Sequence, residues 1–556
     1  MGISRSMRRP LCLALVLLAS VAVPARAATC PNQGAVKVPG AERQVADCLD
    51  DLTTKGTSTN GHTDRSDWQT LHASATRNPA KVVPGLQVDG YFPDTSTTNA
   101  YRGWMHDSQF VLRLPNDWNG KLVVTGAPGV RRQFAADFVI GDFVLARGYA
   151  YASTDKGNSG TSFYQDGARP GDAVAEWHRR VTELTRAAKQ AVRSRYGRLP
   201  VRTYMTGISN GGYLTRWQLE NHPELYDGGV DWEGTLMRAD GPNLFTYLPT
   251  ALRNYDAWKR GDEAAHRRFF DVGFAPGSEQ QWDDHYSEYW DLTQRTYREE
   301  FDPGYDGPLE AGMPFCRSGT PGCDADYDYA KRPQAVKDAV GRVSLTGRIG
   351  KPMLTLHGTL DSLLPIRTDS DVYTRMIRAA GRGAMHRYYV IEGGSHVDGR
   401  YDLYPGALRP ILPCYRTAFA AFEDWIERGQ APPPSQTVPR TAGGDVVNAC
   451  PLAGGAGAGG QAGAGRGGRA KPRLRVRVAP RRVRAGRRTR FRFRVSSRGR
   501  PVRGAKVRFA GKTKRTGRRG RAVIVRRFAH RGVRRAVVTK RGKRTARVRI
   551  RVLPRR

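Results

Sequence analysis

Three short segments of this 556-residue chain carry residue types that could do chemistry together. Gly207-Ile208-Ser209-Asn210-Gly211 fits G-x-S-x-G, a sharp strand-to-helix turn that holds a serine hydroxyl out at its tip. Asp361 comes 152 residues later in a glycine turn after an apolar run, and His396 a further 35 residues on, past the strand-like run 387–391. The set suits nucleophilic acyl transfer. The histidine takes the serine proton, and the aspartate fixes the imidazole tautomer and steadies the imidazolium that forms. Other residues compete. His357 is a second candidate base, although a place inside a strand suits a packed structural histidine; Asp231 and Glu233 are alternative acids. A tetrahedral intermediate also needs two backbone N–H donors. One belongs to Asn210. The other comes from the turn 125–129, where Pro128 has no N–H and Ala127 and Gly129 are the candidates.

Positioning these groups requires a particular order of elements. A short strand over 201–206 and a helix over 213–220 flank the serine, and the chain order Ser, acid, His is that of α/β-hydrolases. The expected fold class is therefore α/β: an α/β-hydrolase over residues 28–450 with eight or so mostly parallel strands. The long gap between Ser209 and Asp361 predicts an inserted lid at about 235–345. Within it, Ser278 and Gln281 stand at capping-box spacing. Trp282, Tyr286, Tyr289 and Trp290 follow on one helical face, either packing the insertion against the main domain or lining an acyl pocket.

The segments 148–157, 181–189 and 222–230, together with the elbow, resemble the tannase/feruloyl esterase family over roughly residues 100–430. That resemblance implies a secreted serine esterase acting on aromatic acid esters, with Ser209, Asp361 and His396 as its triad. One departure is clear: the family joins a cysteine before the serine to one after the histidine, and here those positions hold Ile208 and Val397. Extracellular polyester and hydroxybutyrate oligomer hydrolases are similar at this level, and a prolyl-type serine peptidase uses the same triad. The expected activity is carboxylic ester hydrolysis through an acyl-enzyme on Ser209, with no cofactor and no metal. A reading of another class, a non-catalytic wall-binding protein, is opposed by the complete triad.

Residues 1–27 read as a signal peptide: Arg5, Arg8 and Arg9 precede a 13-residue apolar run that ends before Ala25-Arg26-Ala27. The run is too short to span a bilayer, so a secreted, extracellular protein without a membrane span is expected. Six cysteines remain, Cys30, Cys48, Cys316, Cys323, Cys414 and Cys450, and outside the cytoplasm they suit disulfides, with nearest-neighbour pairing expected. No C-x-x-C spacing supports zinc. Asp324, Asp326 and Asp328 alternate like a calcium loop but lack its glycine and late glutamate.

Charge divides the chain. Residues 451–556 hold 39 of its 91 lysines and arginines and none of its 51 acids, leaving the remainder near neutral. A Gly/Ala-rich linker over 451–470 precedes strictly alternating runs in 471–556 that predict six short strands of a small β-sandwich, resembling bacterial immunoglobulin-like modules. So basic a unit should bind an anionic cell-wall polymer or acidic polysaccharide, with no specific nucleic acid partner and with cell-wall association as the consequence.

Overall fold

The runs 122–126, 150–154, 228–232 and 353–358 are buried along their whole length, the pattern of parallel strands covered by helices on both faces. They form the centre of a ten-stranded sheet in a computed structural model that describes residues 29–31, 33–305, 324–440, 445–453, 474–497, 500–540, 543 and 546–555. The sheet contains β1 (Arg43–Leu49), β2 (Gly85–Tyr91), β3 (Gln109–Pro115), β4 (Lys121–Gly126), β5 (Ala150–Thr154), β6 (Arg202–Ile208), β7 (Gly228–Trp232), β8 (Met353–Gly358), β9 (His386–Ile391) and β10 (Gln436–Val438). Their order is β1-β2-β3-β5-β4-β6-β7-β8-β9-β10. Strands β1, β2, β3 and β5 pair antiparallel in sequence, whereas β5 through β10 run parallel across the sheet. The reversal at β4/β5 leaves the C-terminal ends of β4 and β6 adjacent, and ligands of open α/β sheets sit outside such ends.

Helix α1 (Asp172–Tyr196) packs on one face against β4 and β5, and α2 (Asn210–Asn221) follows β6 directly. Between β7 and β8 the chain forms an insertion that includes α3 (Leu244–Lys259), α4 (Glu263–Asp271) and α5 (Asp291–Phe301). The capping box expected at Ser278 does not form: its hydroxyl donates to the Ala275 carbonyl and accepts from the Trp282 indole N–H. A short π-helical segment at Tyr286–Trp290 shifts the register before α5. Trp282 and Trp290 are consequently buried inside the insertion's own aromatic core with Trp258, Phe269 and Phe274, and Tyr286 stacks on Tyr255. The rings pack the insertion onto itself before anything else.

The chain divides into two compact units, Met1–Ala458 and Gly459–Arg556. Cys30–Cys48 and Cys414–Cys450 are bonded in the first. Cys316, Cys323, the signal-peptide segment and the linker beyond residue 453 lie outside the described residues.

The second unit is all β. Strands β11 (Arg475–Ala479), β13 (Thr489–Ser497), β14 (Arg500–Pro501) and β17 (Arg521–Arg526) make one sheet. Strands β12 (Arg482–Arg484), β15 (Lys506–Phe509), β16 (Lys512–Arg515), β18 (Gly532–Thr539) and β19 (Ala546–Leu553) make the other. The alternation along β13 puts Phe491, Phe493 and Val495 inside and Arg490, Arg492 and Arg494 outside. Phe491 and Phe493 meet Phe509 of the facing sheet edge-on, closing one core.

Gly207, the penultimate residue of β6, has no room for a side chain, since a Cβ would stand 2.3 Å from the Gly211 carbonyl carbon. Gly207→Ala should therefore push β6 and α2 apart and lower kcat about 100-fold, the scale of a 1 Å misplacement, along with thermal stability. A variant with wild-type turnover and melting would show that the turn is not closed this tightly.

Candidate active site

Ser209 sits between β6 and α2 with φ 57° and ψ −121°, a backbone state that L-residues other than glycine rarely adopt. The turn lifts its hydroxyl toward the loops that follow β8 and β9. Its Oγ–H donates to His396 Nε2 at 3.0 Å, and His396 Nδ1–H donates to Asp361 Oδ2 at 2.7 Å. With Nδ1 committed as donor, Nε2 is left as the acceptor that a base needs. All three residues are at least nine-tenths buried. The acid and base loops are zipped together behind them. Leu360 N–H donates to the Gly394 carbonyl, and a Cβ on Gly358 would stand 2.3 Å from the Gly394 backbone.

Asp361 is surrounded. Its Oδ1 accepts the N–H groups of Leu363 and Leu364, both at 2.8 Å, while Oδ2 also lies 3.3 Å from His357 Nε2. Burial alone would push this carboxyl up, but the charge of His396 and hydrogen bonds from His357 and His396 hold it well below the usual carboxylate range. His357 makes no hydrogen bond to Ser209. It is fully buried in β8, its Nε2–H donating to the Leu364 carbonyl at 2.9 Å and its Nδ1 paired with Ser370 Oγ at 2.7 Å. Burial lowers its pKa, and the bond and charge of Asp361 more than restore it, so the net shift is upward.

The two alternative acids have different fates. Asp231 is held by Arg216 Nε (2.8 Å), Thr355 Oγ1 and Gly234 N–H, and makes no hydrogen bond to His396. Glu233 follows β7 with φ 51° and turns its Oε1 onto the Gly358 N–H at 2.7 Å. It stands in one cluster with His357 and Asp361, their ligand atoms within 4.8 Å of one another. Burial, and then the Asp361 charge, push Glu233 well above the ordinary carboxyl range, so it keeps its proton.

The backbone donors are narrower than the sequence suggested. Ala127 is not one, because its N–H is already committed to the Thr154 carbonyl at 3.0 Å, an extension of the β4–β5 pairing. Gly129, at φ 53°, lies beyond that ladder, and neither its N–H nor that of Val130 has a partner among the described residues. Asn210 opens α2, where the first N–H groups have no intrahelical acceptor. Its side chain fixes the site: Nδ2 donates to the Gly129 carbonyl (3.1 Å) and to the Tyr297 hydroxyl (2.7 Å), and Oδ1 accepts from Thr235 (3.1 Å).

Tyr297 belongs to α5, so the insertion reaches the nucleophile turn. It also grips the other two loops. Buried Gln281 donates to the Leu360 carbonyl at 2.9 Å and accepts from Ser395 Oγ, bridging the acid loop and the base loop. The Trp290 indole donates to the Ser362 carbonyl at 2.7 Å. Sequence reading missed Gln281 in this role and Tyr297 altogether, since neither has a local signal and both act across more than 70 residues. Ile208 and Val397, at the positions where a cysteine pair was expected from the resemblance, pack in the same apolar cluster. Two other clusters of potential ligands, Asp47–His62–Asp89 and Asp94–Asp166–Glu176, already enclose Arg102 and Arg180 respectively.

With this geometry in view, the family model described as tannase and feruloyl esterase matches residues 98–232, which hold the serine turn. The model described as 3HB-oligomer hydrolase matches residues 317–454, which hold Asp361 and His396. Mono(2-hydroxyethyl) terephthalate hydrolase of Piscinibacter sakaiensis is 28% identical over 173 residues, 28% of this chain and 28% of that protein. A D-(-)-3-hydroxybutyrate oligomer hydrolase of Cupriavidus necator is 32% identical over 141 residues, 22% of this chain and 20% of that protein. The chain thus spans less than a third of the length of these curated relatives. Among solved structures, feruloyl esterase B from Aspergillus oryzae is similar with a TM-score of 0.44 and 14% identity, over 72% of this chain and 91% of that one.

The two neighbouring carboxyls should separate on mutation. Asp361→Asn should lower kcat about 10⁴-fold, the scale for an acid that holds the imidazole tautomer. Glu233→Gln keeps the bond from Gly358 and should stay within about tenfold of wild type. Because folded Glu233 holds a proton that the unfolded chain releases, its contribution to stability falls as pH rises from about 4.3 toward its raised folded value. Glu233→Gln should therefore melt above wild type at pH 8, with the gain shrinking below about pH 5. A crippled Glu233→Gln beside an active Asp361→Asn would exchange their roles.

Gln281→Leu strips both loops of their shared partner. It should lower kcat by about 10- to 100-fold with KM little changed, as for a displaced catalytic group. Unchanged kcat would show that the loops hold themselves.

Proposed function

We propose that the first unit is a secreted serine esterase that hydrolyses carboxylic esters in the manner of tannases and feruloyl esterases. The observation that carries this reading is the unbroken relay from the Ser209 hydroxyl through His396 to Asp361, set on a strained turn beside partnerless backbone N–H groups. Ser209 Oγ attacks the ester carbonyl as its proton passes to His396 Nε2. The oxyanion is received by the Asn210 N–H and an N–H of the 129–130 turn. His396 then protonates the departing alcohol, leaving an acyl-serine. Water, deprotonated by the same nitrogen, attacks that acyl group, and the acid leaves with Ser209 reprotonated. Asp361 stays ionised throughout and steadies the imidazolium in both halves.

A second reading has a specific observation behind it. The match of residues 317–454 to 3HB-oligomer hydrolases, and relatives of that name, favour an aliphatic hydroxyacid ester as substrate, by the same steps. In either case residues 1–27 direct export and 451–470 link the enzyme to an immunoglobulin-like module over 471–556. That module holds the enzyme, outside the cell, on an anionic wall polymer or acidic polysaccharide. Two disulfides, and the absence among described residues of any helix long and apolar enough to cross a membrane, are consistent with that location.

Ser209→Ala should leave a folded protein with at least about 10⁴-fold lower kcat. A serine-directed phosphonate should label Ser209 alone in the wild type. Turnover of feruloyl, galloyl, mono(2-hydroxyethyl) terephthalate and 3-hydroxybutyrate dimer esters, with aminoacyl amides alongside, separates the readings. Residual turnover in the alanine variant would sink the covalent mechanism, and amide cleavage exceeding every ester would move the enzyme to the peptidases.

A further inference from the structure

The charge of the second unit is not spread evenly. Strand register places Arg477 of β11 level with Arg494 of β13, and Arg494 level with Arg521 of β17. All three point outward and are exposed. Adjacent strands are about 4.8 Å apart, so three guanidinium stems stand in one line across the sheet. Arg492, two residues along β13, adds a fourth cation to the same face between Ala479 and Val523. A shallow depression there is lined by Arg477, Arg481, Arg492 and Arg494.

Like charges directly opposite each other destabilise a sheet. No acidic residue occurs in 451–556 to relieve them, and among the described residues the side chains of Arg477, Arg492, Arg494 and Arg521 have no hydrogen-bond or ion-pair partner. The facing sheet is arranged differently. There Arg508 lies between Thr513 and Val537, and Lys506 between Arg515 and Thr539, while level arginines occur only in pairs, such as Arg535 with Arg549. The row at 477, 494 and 521 is the one three arginines wide among the described strands.

Resting on the reading of this unit as an anchor, we infer that the β11–β13–β17 face is its binding site and that its occupant is a linear acidic polysaccharide laid across the arginine row. Guanidinium forks match carboxylates in planar, bidentate fashion, and a row of them matches a chain with repeating anions. The face also lacks what a nucleic acid strand needs. Phe491, Phe493, Phe509 and Phe528 are all turned into the core, so none of the unit's phenylalanines is presented for bases to stack on. The exposed apolar group on the face is Val523, which suits the aliphatic edge of a sugar.

The test uses the full chain and polygalacturonate as probe. One variant carries Arg477→Gln, Arg492→Gln, Arg494→Gln and Arg521→Gln; a control carries Lys506→Gln, Arg508→Gln, Lys514→Gln and Arg515→Gln, removing the same charge from the other sheet. The first should lose at least tenfold in affinity and flatten the salt dependence, and the control should lose no more than about threefold. Relief of the like-charge row should also leave the first variant's melting temperature equal to or above wild type, which a merely structural role for these arginines would lower. Equal losses in both variants would overturn the inference and leave binding to net charge. Wild type that does not bind polygalacturonate at low salt would overturn the anchoring reading itself. Tighter binding of single-stranded DNA than of polygalacturonate would replace the occupant.

Discussion

A buried negative charge at Asp361 imposes its requirements on everything around it. An isolated carboxylate so far from water would take up a proton rather than stay charged. Asp361 stays ionised because two backbone N–H groups and two histidines converge on it. Its neighbour Glu233 accepts one backbone N–H, stands beside the Asp361 charge, and resolves the same conflict the other way, by remaining protonated. One compartment thus holds two carboxyls in opposite states, the separation that acid and base assignments depend on. The support closes on itself. His357 pairs with Ser370, Ser370 accepts from Arg216 Nη2 at 2.6 Å, and Arg216 rises from the helix that Ser209 begins. The acid is therefore positioned against the nucleophile by a second route that bypasses His396, which leaves little freedom for the geometry to drift before reaction.

The insertion between β7 and β8 belongs to this frame. Most of its aromatic rings fill its own core, while Tyr297 also meets Phe163 and Trp177 edge-on, and its contacts with the site are polar: Gln281 on two loops, Trp290 on the acid loop, Tyr297 on Asn210. Polar ties of this kind fix orientation as well as distance, which apolar packing alone does not. The Asn210 side chain then links the insertion to the Gly129 carbonyl, so the peptide that flanks the oxyanion position is set by a residue of the elbow itself.

The two units divide electrostatics between them. The first pairs many of its buried cations with acids, as Arg216 with Asp231 and Asp369, or Arg113 with Asp137. The second has no acid to pair with and must keep its cations on the surface, which strict alternation accomplishes by pointing every second residue of β13 outward. Its core rests on a few phenylalanines and aliphatics, and it holds no acid of its own to offset the arginines of its outer faces.

What local sequence determined here was whatever a period or a short motif can encode. The runs before Ser209, Asp361 and His396 named three strands of the sheet, Gly207 and Gly211 named the turn that exposes Ser209, and the alternation from 474 onward named six of the nine strands described in the basic unit. Asp361 and His396 were legible because each follows a strand in an order that only certain sheets allow. Tertiary structure alone decided which donors and partners are free. Ala127 lost its N–H to Thr154 because pairing of β4 with β5 extends one residue past the strand, and no motif records where a ladder stops. Ser278 and Gln281 carried a helix-cap spacing, yet a loop 79 residues away offered Gln281 a carbonyl and the cap was forgone. Glu233 and Asp361 are chemically alike in the sequence, and their opposite protonation comes from what the fold sets beside each: two histidines beside Asp361, and the Asp361 charge beside buried Glu233. Proximity across the sheet is a property of the folded chain, and it is there that the acid, its silent neighbour and the clamp on both loops were chosen.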